Sequence, residues 1–245
     1  MAFITAGRTI EVPRDTYSLR YSPRLVRTGA DFYDTLVVAA KMAVCLPTAG
    51  EEQYIYSQKI LGAKNLRDVE ELRDYFANND KGLHVRGWTT TGLRFREADL
   101  RKPYNVGYKV TALVIETDIT PYLSQIADPH FARDNWKDIV GKVTHIKGEV
   151  AVPYARGHVI REMHPTLGIF TEVEPTTQHN ASYVLHGWTR ENLNVSQDPI
   201  TGKYDVAVNY RGDWHRTEGC LSVGVGFERW VSDSDVGFRP VVRAN

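Results

Sequence analysis

The sequence predicts an α+β protein, on three observations. Helical spacing and capping residues gather in the first third of the chain. Segments of period two dominate after about residue 105, and turn residues separate them at short intervals. With 245 residues the chain is long enough for a substantial core, as one large domain or two modest ones. The expected division is a region at 1–105, α+β with an extended arm suited to assembly or docking, and a domain at 106–245 of short antiparallel strands.

The elements follow in order. "RTIEVPRDTYSLRYSPRLVRTG" alternates polar and apolar residues between prolines and reads as extended arms or edge strands. Asp31 caps a helix over "DFYDTLVVAAKMAVC". A second helix starts near Asn65, where Leu66, Val69, Leu72 and Phe76 recur at helical spacing, and stops in "ANNDKG". "YKVTALVIET" is a strand, and "RDNWKDIVG" is a short amphipathic helix closed by Gly141. "KVTHIKGEVAVP", "GHVIREM", "LGIFTEVE", "ASYVLHGWT" and "KYDVAVNY" follow as short strands. The pattern Gly-Trp-Thr with a leucine four residues on occurs at Gly87 and again at Gly187. Two similar turns, each burying a tryptophan, and chance recurrence both account for it.

Charge excludes some functions. Thirty basic residues balance thirty acidic ones, and no basic stripe interleaves with aromatics, so nucleic acid is not an expected partner. "TLVVAAKMAVCL" is interrupted by Lys41 and is too short to span a bilayer, so no membrane insertion is expected. The sequence shows no signal-peptide pattern, which fits a cytoplasmic site of synthesis. Cys45 and Cys220 are the two cysteines; they read as a pair or as two buried thiols.

The segment "YRGDWHRTEGCLSVGVGFERWVSDSDVGFRPVV" places Gly212 and Trp214 first, then a glycine-rich stretch around Cys220, a polar loop, and Gly237-Phe238-Arg239-Pro240-Val241. This order resembles the closing segment of the C-type-lectin-like fold in the formylglycine-generating-enzyme (sulfatase-modifying) family and in the variable proteins of diversity-generating retroelements. The resemblance runs from Val208 to Val242, about a seventh of the chain. Physically, Gly237 suits a backbone conformation that a Cβ disfavours, Phe238 suits burial, and Arg239 suits a fork onto carbonyls or a carboxylate that closes the sheet near the N-terminal strand. Asp233 and Asp235 are near it in sequence. The family's catalytic cysteine pair is missing, since Cys220 stands alone here, and no His-x-x-x-His-x-Glu pattern of its metal-dependent relatives occurs. The resemblance therefore implies a scaffold without the family's chemistry.

The expected function is a non-enzymatic binding or assembly protein. Its setting would be a virion component of a bacteriophage tail or head surface, assembled in the host cytoplasm as a homo-oligomer. Its partners would be other protein subunits and a cell-surface protein or glycan. Candidate ligand contacts are Tyr210, Trp214, His215, Arg216, Phe227, Arg229 and Trp230, because aromatics and arginine dominate binding energy; packing within the sheet is the alternative for Trp214 and Trp230. The fold motif comprises Gly212, Gly237, Phe238 and Arg239. No catalytic residue and no resident cofactor are expected. Asp233-Ser234-Asp235 does resemble a fragment of a calcium loop, though the distal glutamate of the twelve-residue pattern is missing. A metal-dependent oxidoreductase using His158, His164, His179, His186 and Glu172, with Glu162 and Glu174 nearby, is the rival. A purely structural capsid or tail subunit is the second.

Overall fold

A computed structural model describes residues 10–13, 18–22, 26–52, 86–101, 109–153, 159–163, 170–174, 186–187, 195–211, 222–232 and 236–244. They form an α+β fold with three antiparallel or mixed sheets and helices packed on the largest.

The organising strand is β4 (Arg86–Phe95). Along one edge it pairs antiparallel with β10 (Tyr204–Arg211), through a bulge near Ala207. Its other edge is shared. β12 (Val236–Phe238) runs parallel to Arg86 and Gly87, and β5 (Lys109–Thr117) runs antiparallel to Thr91–Phe95. The interval between them needs another partner, since buried backbone donors are rarely left unmade. The chain at 47–49 fills it: Thr90 N donates to Pro47 O at 2.8 Å, and Ala49 N donates to Thr91 Oγ1 at 2.8 Å. Beyond β10 lie β11 (Ser222–Glu228) and β9 (His186–Gly187), and β6 (Thr144–Pro153) flanks β5. Strands from both sides of residue 105 thus share one sheet.

β4 was hidden in the sequence. Gly87, Gly92 and three consecutive threonines interrupt any apolar alternation, and the strand is buried on both faces, so period two has nothing to report. The first Gly-Trp-Thr is accordingly part of a strand, not of a turn, and Trp88 is fully buried.

Helix α1 (Phe32–Lys41) follows the expected cap, with Asp31 Oδ1 accepting from Asp34 N at 2.8 Å. It stops four residues earlier than expected. Ala43 adopts φ 54, and Cys45 leaves to bridge Val241, with N–H···O bonds of 3.0 and 2.9 Å. α1 fills the centre of the core. Phe32 meets Trp88 edge-on, with ring centroids 5.9 Å apart, and Ala207, Val236 and Phe238 pack beside them. α2 (Glu97–Leu100) follows β4, and α3 (Leu123–Ile126) follows β5. α4 (Pro129–Val143) adds Ile139, Val140 and Val143 to the core at helical spacing. The helix runs through Gly141, which was expected to end it. An exposed glycine weakens a helix by about 1 kcal/mol without stopping it, and here burial of Val143 outweighs that.

Asp31 carries a pH signature. Burial pushes its carboxyl up to about 6, aided by the charge of Asp34, while the N–H of Asp34 pulls it back. The folded state therefore holds the proton more tightly than the unfolded chain, for which about 3.9 is usual. The contribution to stability is full below about pH 4 and is lost as pH rises through 6. Asp31→Asn keeps the cap and removes the titration. The variant is expected to gain on the wild type between about pH 4 and pH 7, by under about 1 kcal/mol because solvent screens the group. Urea midpoints of both proteins at the two pH values check this.

The extended segment near the start forms real strands. β1 (Ile10–Pro13) pairs with β2 (Ser18–Tyr21), β2 pairs with β13 (Val241–Ala244), and β3 (Val26–Arg27) pairs with β12. Gly237 and Phe238 of the Gly-Phe-Arg motif lie in β12, and Arg239 follows it. Phe238 is fully buried as expected, and Arg239 is 1% exposed where the chain passes from one sheet to the other. Gly237 departs from expectation. Among the described residues the glycines with positive φ are Gly29 and Gly202, whereas Gly237 sits in regular strand opposite Gly87 and Arg27.

β7 (Val159–Met163) and β8 (Phe170–Glu174) form a separate ribbon in which Glu162 is in register with Glu172. The second expected helix, Trp188, and the aspartates Asp233 and Asp235 lie outside the described residues.

Candidate functional site

A cleft of about 230 Å³ opens where α1's exit, the start of β6 and the last strand meet. Its residues come from five places in the chain. Cys45 and Thr48 lie just after α1, and Glu51 stands on the helical turn that follows. Thr90 belongs to β4. Glu116 and Thr117 end β5, and Asp118 and Thr120 continue from it. His145 and Lys147 belong to β6, and Arg243 to β13.

Each is held by a local cause. Thr48 and Glu51 form a reciprocal capping box: Glu51 N donates to Thr48 Oγ1 at 3.0 Å, and Thr48 N donates to Glu51 Oε2 at 2.7 Å. Arg243 grips the same carboxylate with Nε and Nη2, at 2.8 and 2.7 Å, and Nη2 also donates to Leu46 O at 3.2 Å. Glu51 is buried, so this two-toothed contact replaces the water it lost. Thr91, Glu116 and His145 stand in one cross-strand row, which brings Glu116 and His145 to the same face. Lys147 Nζ lies 3.4 Å from Glu116 Oε2; the pair is open to water and is worth under about 1 kcal/mol. Asp118 Oδ1 accepts from Thr120 N at 3.0 Å, fixing the turn that leaves β5.

Cys45 is a free, half-buried thiol with Sγ 3.9 Å from Thr120 Oγ1. Burial pushes its ionisation up, and the opposing pull of Arg243 is smaller. It is therefore protonated at neutral pH, in the poorly nucleophilic form. The cleft offers hydroxyls, two ion pairs and an imidazole around a neutral thiol. That set can hydrogen-bond a small polar ligand bearing both donors and acceptors.

Behind the cleft floor lies Arg229. Expected on an exposed loop, it is 0% exposed. Its carbonyl accepts from Phe32 N at 2.9 Å, its guanidinium sits 4.5 Å over the Phe32 ring, and Nη1 donates to Thr117 Oγ1 at 3.0 Å. Gly92 makes the space, because a Cβ there would lie 2.5 Å from Arg229 Nη2. The aromatic face and the hydroxyl are what stabilise a cation in this position. Trp230 is half-buried and packs against the core around α1. Tyr210 and Phe227 take strand positions in β10 and β11, with Tyr210 in register with Val223 and Phe227 with Ala207.

Gly212, Trp214, His215, Arg216, His158, His164 and His179 lie outside the described residues, as does Cys220. His186 is in β9, in register with Ser222, and Glu172 and Glu174 are in β8. Among the described residues, no three histidine, cysteine, aspartate or glutamate side chains group as a metal site. No helix among them is long and apolar enough to cross a membrane.

The cleft was largely missed from sequence. The spacing Thr48-x-x-Glu51 is a capping-box signature and was a usable signal. Glu116, His145 and Arg243 meet through strand pairing, which no local pattern carries.

Fold and site together define an α+β protein with a polar cleft at the junction of two sheets. Comparison with known protein families, with curated proteins and with solved structures finds no match.

Proposed function

We propose that this protein is a non-enzymatic binding or assembly protein, a bacteriophage tail or head surface component that displays loops from a C-type-lectin-like scaffold. The observation that carries the reading is the closure of the frame. β13 is zipped to β2 on one side and bridged to Cys45 on the other, and β12 lies between β3 and β4. A terminal Gly-Phe-Arg segment that locks the early strands to the late ones is what the lectin-like resemblance implies. Two ion pairs with buried carboxylates add support, because they fasten segments distant in sequence. Glu51 and Arg243 are 192 residues apart, and Arg94 and Asp205 are 111 apart. The protonated state of Cys45 favours binding over covalent catalysis in the cleft. On this reading the partners are further subunits and a host-surface protein or glycan, and calcium is the cation that the sequence Asp233-Ser234-Asp235 would suit if one is bound.

Native mass spectrometry of the purified chain tests the proposal by reporting subunit count and bound metal together. A trimer or larger ring free of transition metal is the expected result. A monomer holding one tightly bound iron, copper or zinc would overturn it in favour of the metal-dependent enzyme.

A further inference from the structure

The described strands of the arm, β1, β2 and β3, touch the rest of the fold as a separate peptide would. β2 lies along β13 with Arg20 opposite Val242, and β3 lies along β12 with Val26 opposite Phe238. Among the described strands β1 pairs with β2 alone. Leu19 and Tyr21 are buried and Arg20 between them is exposed, which is the alternation of a strand added to a sheet edge with its anchors in pockets. Tyr21 OH also donates to Glu52 Oε2 at 2.8 Å. Ser22 N donates to Pro240 O at 2.9 Å.

The join between arm and body is short. Thr28 N and Gly29 N both donate to Val236 O, at 3.1 and 3.2 Å, so these residues stay with the arm's side of the contact. Ala30 O accepts from Trp88 Nε1 at 3.3 Å, and Asp31 caps α1, so these stay with the body. The pivot is therefore Gly29. It is exposed and has φ +58, and glycine passes between the left-handed turn and an extended conformation at little cost.

We propose that the arm is exchanged between copies of this chain, hinged at Gly29, so that β2 and β3 of one copy complete β13 and β12 of another. The inference rests on the assembly reading above and names the segment that carries it. Every arm contact just described is made equally well by the same segment of a second copy. Exchange then costs mainly the entropy of association and is driven by protein concentration. A short connection of this kind favours exchange, and lengthening it favours the closed monomer.

The test is a cross-link across β2 and β13. In a chain with Cys45→Ser and Cys220→Ser, Arg20→Cys is combined with Val242→Cys, whose Cα atoms are cross-strand partners. Oxidation at increasing protein concentration is followed by non-reducing electrophoresis. Exchange predicts covalent dimers or ladders, rising about in proportion to concentration while they are the minor species. Inserting a short Gly-Ser linker after Gly29 should lower that fraction several-fold. Intrachain monomer alone, at every concentration, would overturn the proposal. Ser18→Cys with Ala244→Cys, also cross-strand partners, repeats the test should the first pair fail to fold. Native mass spectrometry of the same samples separates the two ideas. Oligomers held by intrachain cross-links sink exchange alone, whereas monomers throughout sink the assembly reading as well.

Discussion

Asp198→Ala is expected to lower stability by about 3–5 kcal/mol, the summed cost of leaving one hydroxyl and two amides without their acceptor. Asp198 is fully buried and makes bonds in every direction. Oδ2 accepts from Tyr33 OH at 2.5 Å, and Oδ1 accepts from Ile200 N and Thr201 N at 2.8 and 3.2 Å. Its own backbone bonds Lys203 O and Gly202 N, so one residue closes the loop that leads into β10. Alanine leaves the buried Tyr33 hydroxyl and the part-buried amides of Ile200 and Thr201 without that acceptor, a cost of about 1–3 kcal/mol for the hydroxyl and less for each amide. Tyr33 remains a phenol in the native protein, because burial raises its ionisation, and neighbouring Asp198 raises it further against the pull of Arg229. Asp198→Asn keeps an acceptor oxygen and should cost only about 1–2 kcal/mol. Chemical denaturation of the two variants decides. An alanine variant within about 1 kcal/mol of wild type would show that the loop is not held this way.

The second large effect is expected at Gly92. Alanine there brings its Cβ to 2.5 Å from Arg229 Nη2 and 2.6 Å from Val206 O. The guanidinium can move, but the carbonyl belongs to a strand hydrogen-bonded on both sides and cannot move freely. Overpacking of this kind costs about 3 kcal/mol, near the upper end of its usual range, and it also displaces Arg229 from the Phe32 ring. Arg229→Met combined with Gly92→Ala should recover part of the loss and no more, since the clash with Val206 O persists. Gly148→Ala is the control. A Cβ at Gly148 meets nothing within 4 Å, so its thermal midpoint should stay close to that of the wild type. If Gly92→Ala behaves like that control, the packing of Arg229 beneath β4 is not as described.

These two sites also show what the sequence could and could not convey. The cap at Asp31, the strands β5, β6 and β10, and the burial of Phe238 are written locally, in capping chemistry and in runs of β-branched residues. β4 is not, because threonine and glycine serve a strand whose neighbours supply its apolar contacts. Asp198 looks like an ordinary turn residue in "QDPITGK", and Gly92 like a strand breaker, until Tyr33 and Arg229 are brought beside them from elsewhere in the chain. The cleft follows the same rule. The Thr48-Glu51 box was readable, but the arginine that holds it stands 192 residues away.

The pairing of β12 and β13 with β3 and β2 has a consequence for how the chain reaches its native state. Val236 closes contacts across 208 residues, and β12 is the strand that sits between β3 and β4 at the centre of the core. A ribosome that has not yet delivered residue 236 therefore holds a chain whose core is open on one side, with α1 and Trp88 still facing solvent. Formation of this fold must wait until β12 and β13 have been made, and, being dominated by such distant pairings, it belongs with the slow β-rich folders. During that wait the unfinished edges are the surfaces most in need of a chaperone.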